Sequence, residues 1–165
     1  MLRISRLTDY GTVILARLAA APHRQFTAAE LARLTHVPAA TVRKLLKQLH
    51  AHALVDSTRG LHGGYRLSRP AVQITAAQVL AALEGPVALT ECAQHATSCG
   101  IEGSCGVGRA WQRVNVAIQH TLQEITLLEL AGLAAEPIRF AALERQVRAP
   151  RSAVAIPPGR RSSVP

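Results

Sequence analysis

At 165 residues with 48% hydrophobic side chains, the chain is long enough for one domain with a core and an appended arm, and too short for several large domains. Its 19 Lys plus Arg against 10 Asp plus Glu, a formal charge of +9, suit a polyanionic partner such as nucleic acid or an anionic membrane surface. The apolar opening is interrupted by Arg17, no signal cleavage pattern follows and no segment reaches membrane-spanning length, so a cytoplasmic protein without a membrane partner is expected.

The charge is uneven. Residues 1–70 hold 11 Lys plus Arg and 3 Asp plus Glu, net +8; residues 71–132 hold 2 and 5, net −3; residues 133–165 hold 6 and 2, net +4. The basic surface therefore belongs to the front of the chain, with a second basic stretch at its end.

Leu7, Tyr10, Ile14 and Leu18 recur at helical spacing and predict a first amphipathic helix ending near Ala21 and Pro22. Thr27 followed by Glu30 is a capping-box signature for a short helix with Leu31 and Leu34 inside, stopping around Thr35 and His36. Pro38 suits the start of the next helix. Val42, Leu45, Leu46 and Leu49 form its apolar face and leave Ala40, Thr41, Arg43, Lys44 and Lys47 on the others. Two short helices and a tight turn make a helix-turn-helix, whose second helix reads DNA in the major groove; a merely solvated cationic face has the same pattern. ALVDSTRGLHGGYRLSRP then predicts a strand, a glycine-rich turn and a second strand closed by Pro70: a β-hairpin wing with Arg59 and His62 near its tip, suited to a minor groove. An ordinary surface hairpin would look no different.

Thr75 and Gln78 form another capping signature, opening a connector helix with Ile74, Val79, Leu80 and Leu83, which ends at Gly85 and Pro86. Next comes ECAQHATSCGIEGSCGVG, which holds all three cysteines. In a reducing compartment these are metal ligands or redox thiols rather than a disulfide framework. The spacing Cys92-x6-Cys99-x5-Cys105 is wider than the paired C-x2-C knuckles of zinc fingers, and the glycines let the backbone wrap a larger object such as an iron–sulfur cluster. Clusters ordinarily take four thiolates, so a fourth ligand must come from elsewhere; His95 and Glu102 are local candidates. Beyond the loop, Trp111, Val114, Ile118, Leu122, Ile125 and Leu128 repeat at three- and four-residue steps in a helix expected to run to about Gly132. Few elements remain to cover so long a stripe, which favours a homodimer over a buried intrachain helix.

LTDYGTVIL, the helix-turn-helix, RGLHGGYRLSRP and three cysteines before a long helix together resemble the IscR and NsrR family of winged-helix iron–sulfur transcriptional regulators, over roughly residues 1–132. The opening MLRISRLTDYGTVIL is similar to regulators of the SUF iron–sulfur assembly system. The resemblance implies base reading by Ala40, Arg43 and Lys44, minor-groove contact by Arg59, and a homodimer on a pseudo-palindromic operator. It carries no operator sequence, because the family varies at the positions of Arg43 and Lys44. One family form takes a histidine three residues after the last cysteine as fourth ligand; here that position is Gly108. Another takes an aspartate from the first helix of the partner subunit, and the matching residue is Asp9.

The expectation is thus a mostly α fold with a small β wing: a winged helix-turn-helix over 1–70, a connector over 71–90, a cysteine loop over 91–107, a dimerisation helix over 108–132 and a basic, mobile tail over 133–165. The expected function is repression of iron–sulfur assembly genes through a bound [2Fe-2S] or [4Fe-4S] cluster of unspecified nuclearity. The rival is a winged-helix regulator with structural zinc or a thiol–disulfide switch. An enzyme is not expected, since no phosphate loop, paired carboxylates or cysteine–histidine arrangement is present. If the tail adds phosphate contacts, deleting residues 133–165 will flatten the salt dependence of DNA binding, measured by titration across salt concentrations; an unchanged slope rejects that role.

Overall fold

A computed structural model describes residues 4–60, 63–86 and 107–135. Helix α1 (Arg6–Ala19) starts at Ser5, whose hydroxyl accepts from the Thr8 N–H. Helix α2 (Ala28–Thr35) starts at Thr27 with the expected capping box: Thr27 Oγ1 accepts from the Glu30 N–H, and the Glu30 carboxylate accepts from the Thr27 N–H at 2.9 Å. These bonds from Thr27 hold the Glu30 carboxyl below its ordinary pKa. His36 then takes the left-handed conformation at φ 56°, which turns the chain sharply into α3 (Ala39–Ala51). Val37, inside that turn, is buried.

Strands β1 (Val55–Thr58) and β2 (Gly64–Leu67) pair antiparallel, with Val55 opposite Leu67 and Thr58 opposite Gly64. Phe26 adds a third rung through two backbone bonds with Tyr65, of 3.0 and 2.8 Å. A Cβ on Gly64 would stand 2.9 Å from the Phe26 carbonyl oxygen, so glycine is what lets these backbones meet. A 3-10 turn (Ala71–Gln73) leads to α4 (Ala76–Glu84), capped by Thr75 and Gln78 as their spacing predicts.

The core is formed by the inner faces of these helices. Ile14, Leu15, Leu18, Leu31, Val42, Leu45, Leu46, Leu49, Ile74 and Leu127 are at most 1% exposed. At 25 cal/mol per Å2 each such side chain is worth about 1.5 to 3 kcal/mol of burial. Four apolar positions of α3 lie inward as expected, whereas Leu7 and Leu34 are on the surface. In α1 the buried face instead runs through Thr8, Gly11, Ile14, Leu15 and Leu18. Gly11 marks the reason: a Cβ there would stand 2.5 Å from Cδ1 of Leu83, so α4 packs directly on the α1 backbone.

The last helix differs from expectation. Helix α5 (Gly108–Glu124) does not reach Gly132: Ile125 is extended (φ −80°, ψ 123°), and Thr126 opens a separate short helix, α6 (Leu127–Leu130), with its own capping box to Glu129. The break is held by backbone bonds to the start of α4, from the Leu127 N–H to the Ile74 carbonyl at 2.7 Å and from the Ala76 N–H to the Ile125 carbonyl at 2.8 Å. Consequently Ile125 and Leu128 leave the expected dimer stripe. Ile125 is buried within the subunit, and Leu128 packs against the core beside fully buried Leu127.

Truncating Leu127 to Ala should therefore cost about 2 to 5 kcal/mol of unfolding free energy, as for other buried leucines. The same change at Leu130, 37% exposed, should cost no more than about 0.5 kcal/mol. Urea unfolding of both variants checks this, and equal losses would contradict the packing of α6.

Candidate nucleic-acid interface

Because Val42, Leu45, Leu46 and Leu49 occupy the inward face of α3, the helix must present the rest to solvent. Ala40, Arg43, Lys44 and Lys47 are exposed, and Thr41 is half-buried. Ala40, Arg43, Lys44 and Lys47 are spaced by three or four residues, so they share one face and place three cations along it. The helix begins at Pro38 without a side-chain cap, and the small Ala39 and Ala40 leave its first turn open to a close approach.

The wing is braced from three sides. Thr58 Oγ1 donates to Gln25 Oε1 at 2.8 Å, Phe26 bridges Tyr65, and beyond β2 Ser68 Oγ and Arg69 Nη1 donate to the Ala53 carbonyl at 2.6 and 2.8 Å. Arg69 also reaches Gln78 Oε1 at 2.9 Å, so it ties the wing to α4. Arg59 and Arg66 are exposed on the wing; Arg66 faces Asp56 across the strands. Gly60 at the tip has φ 111°, a conformation that favours glycine. His62 lies outside the described residues. Arg24 stacks over the Phe26 ring, 4.6 Å from its centroid, and pairs with Glu30 at 2.9 Å, adding a further cation near the start of α2.

Asp9 lies exposed in the first turn of α1, beside a shallow cleft lined by Ile4, Ser5 and Arg6. Cys92, Cys99 and Cys105, with His95 and Glu102, lie outside the described residues. Among the described residues no group of three His, Cys, Asp or Glu side chains could hold a metal ion. Along α5, Trp111 and Val114 are 46% and 43% exposed, while Ile118 and Leu122 are half-buried. No helix among the described residues is long and apolar enough to cross a membrane.

Sequence patterns missed Gln48 and Glu84. The amide Nε2 of Gln48, on α3, donates to the carbonyls of Ala82 and Leu83 at 2.9 and 3.3 Å. Glu84 Oε1 accepts from the Ser5 N–H at 2.9 Å and from the Thr8 hydroxyl. The Ser5 side chain foremost, then the Thr8 hydroxyl and the Ser5 N–H, hold the Glu84 carboxyl below its ordinary pKa. Their partners are far away in sequence, so no local motif marks them.

A helix-turn-helix with an exposed cationic second helix and a braced wing makes a winged-helix protein of the transcription-regulator class. The chain belongs to the Rrf2 family, described as iron-dependent transcriptional regulators, whose profile it matches over residues 4–132. It is 31% identical over 153 residues to protein aau3 of Rhizobium meliloti (strain 1021), covering 92% of this chain and 99% of that one. Among solved structures it resembles CymR, the global cysteine regulator of B. subtilis, with 28% identity, a TM-score of 0.63 and coverage of 81% of this chain and 99% of the other. It also shares the fold of T. potens IscR, with 21% identity, a TM-score of 0.57 and coverage of 92% and 93%.

If α3 reads base edges, Arg43→Ala should cost about 1 to 3 kcal/mol and relax specificity at one operator position. Lys47→Ala should weaken binding on all sequences and lower the salt slope by about 1. Anisotropy titrations on matched and mutated duplexes separate the two; identical behaviour would deny Arg43 a reading role.

Proposed function

We propose that two copies of this chain pair through Trp111, Val114, Ile118 and Leu122 of α5 and bind a pseudo-palindromic DNA operator in the cytoplasm. Ala40, Thr41, Arg43, Lys44 and Lys47 of α3 enter the major groove, and the wing, with Arg59 and His62, lies along the minor groove. The carrying observation is the α3 surface: its three cations share an exposed face while its apolar side is fully buried, in a chain of the Rrf2 family.

Cys92, Cys99 and Cys105, together with Asp9 of the partner subunit, hold an iron–sulfur cluster in this reading. The family's iron dependence, the exposure of Asp9 and the wide cysteine spacing support it. When bound, the cluster supplies redox sensitivity and a link between subunits. A hard carboxylate among soft thiolates is a weak ligand, so this set is suited to being broken by oxidant or nitric oxide. Asp9 offers its carboxylate from the first turn of α1 and thereby ties one reading head to the other's cysteine segment. The regulator then represses iron–sulfur assembly genes of the SUF type in its loaded form, and losing the link changes the spacing of the two α3 helices.

A second reading is a zinc site or thiol–disulfide switch in the same segment, favoured by the likeness to CymR, a cysteine regulator. An ultraviolet-visible spectrum with iron and sulfide analysis on protein purified without oxygen decides between them. The expected result is a brown protein whose cluster is lost in Cys99→Ala and labile in Asp9→Ala. A colourless protein, with about one zinc per chain or none, would select the second reading.

A further inference from the structure

We infer that Gln48 and Glu84 are positioning residues that carry the state of the cysteine segment to the recognition helix. The inference rests on the reading that the cysteines control DNA binding, and it names the joint through which they do so. The geometry is specific. After Glu84 only Gly85 and Pro86 remain described before the segment with Cys92, Cys99 and Cys105. The last turn of α4 is thus the helical turn that directly precedes that segment in the chain.

Two helices grip this turn. From α3, one residue after Lys47, Gln48 donates its side-chain amide to the Ala82 and Leu83 carbonyls, which belong to the last turn of α4 and so have no partner within that helix. From α1, the N-cap residue Ser5 and buried Thr8 donate to the Glu84 carboxylate, which lies at the positive end of the α1 dipole. Between them Leu83 packs on Gly11, where even a Cβ would not fit without displacing it. A shift of the α4 end is therefore felt by α3 through Gln48 and by α1 through Glu84. Asp9 follows Thr8 directly, so both the cysteine segment and Asp9 act on the same turn of α1.

This joint is also stiff at its far end, because the start of α4 is bonded to Ile125 and Leu127. In this proposal the shift is taken up at the end of α4 that holds Gln48 and Glu84. The bonds are few and polar, which suits an arrangement that can be exchanged for another without unfolding the core.

The test uses full-length protein and a labelled duplex selected from a random pool by wild type loaded with iron and sulfide. Anisotropy gives the affinity of each protein in the loaded form and as its Cys99→Ala counterpart. Wild type should differ between the two states by about tenfold, a typical coupling. In Gln48→Leu the difference should shrink to within about twofold, with dimer mass and visible spectrum unchanged. Amide hydrogen exchange over α3 should respond to loading in wild type and not in the variant. Glu84→Ala should weaken the coupling through α1 in the same assay. Should Gln48→Leu unfold, Gln48→Met keeps the length of the side chain without its donor. A Gln48 variant that folds, loads and keeps the tenfold difference overturns this inference and leaves the sensor intact. A wild type with equal affinity in both states overturns the sensor, and the inference with it.

Discussion

Everything in this structure hangs on the place where the chain, having left α4 for the cysteine segment and α5, returns to where α4 began. Two backbone hydrogen bonds, joining Ile74 and Ala76 to Leu127 and Ile125, close that circuit. They bury Ile74, Ile125 and Leu127 together and fix the C-terminal end of α5 against the reading head. The direction in which α5 leaves the head is set there, and with it the separation of the two heads in the proposed dimer. A loose return would let α5 swing and leave the spacing of the recognition helices undefined.

The head itself separates two tasks on the same helices. The inward faces of α1, α2 and α3 are apolar and almost completely buried, while the outward face of α3 carries cations. The wing is stiffened by polar contacts rather than by a core of its own. Gln25, Ser68 and Arg69 bond to it or from it, and Arg69 links the Ala53 carbonyl to Gln78. A two-stranded ribbon is marginal in isolation. Here the Phe26 rung and these braces supply the support that a third strand would give.

How much of this could be read beforehand depended on the range of the interaction. Capping boxes at Thr27–Glu30 and Thr75–Gln78 are local, and both helices start where the spacing says. Val42, Leu45, Leu46 and Leu49 face inward as their period requires. The end of α5 was misjudged because Ile125 and Leu128 extend the three- and four-residue rhythm by coincidence. Thr126 and Glu129 spell the same capping signature within that stretch, and the bond to Ile74 decides in its favour. Leu7 and Leu34 were placed inside on periodicity alone, which gives a face but not its exact rotation. Gln48 and Glu84 carry no signal at all, since each finds its partners more than thirty residues away. The cation face on α3 was legible for the converse reason: whatever is left over after the core is chosen must face outward.

The division between a buried and an exposed face of α3 has an evolutionary consequence. Arg43, Lys44 and Lys47 contribute nothing to the core, so they can be exchanged without loss of folding, whereas a change at Leu45 or Leu46 is tied to stability. Target choice is thereby uncoupled from fold maintenance. After gene duplication, one copy can drift to a new set of promoters by a few surface substitutions while retaining the same scaffold, so one fold can be connected to many different gene sets.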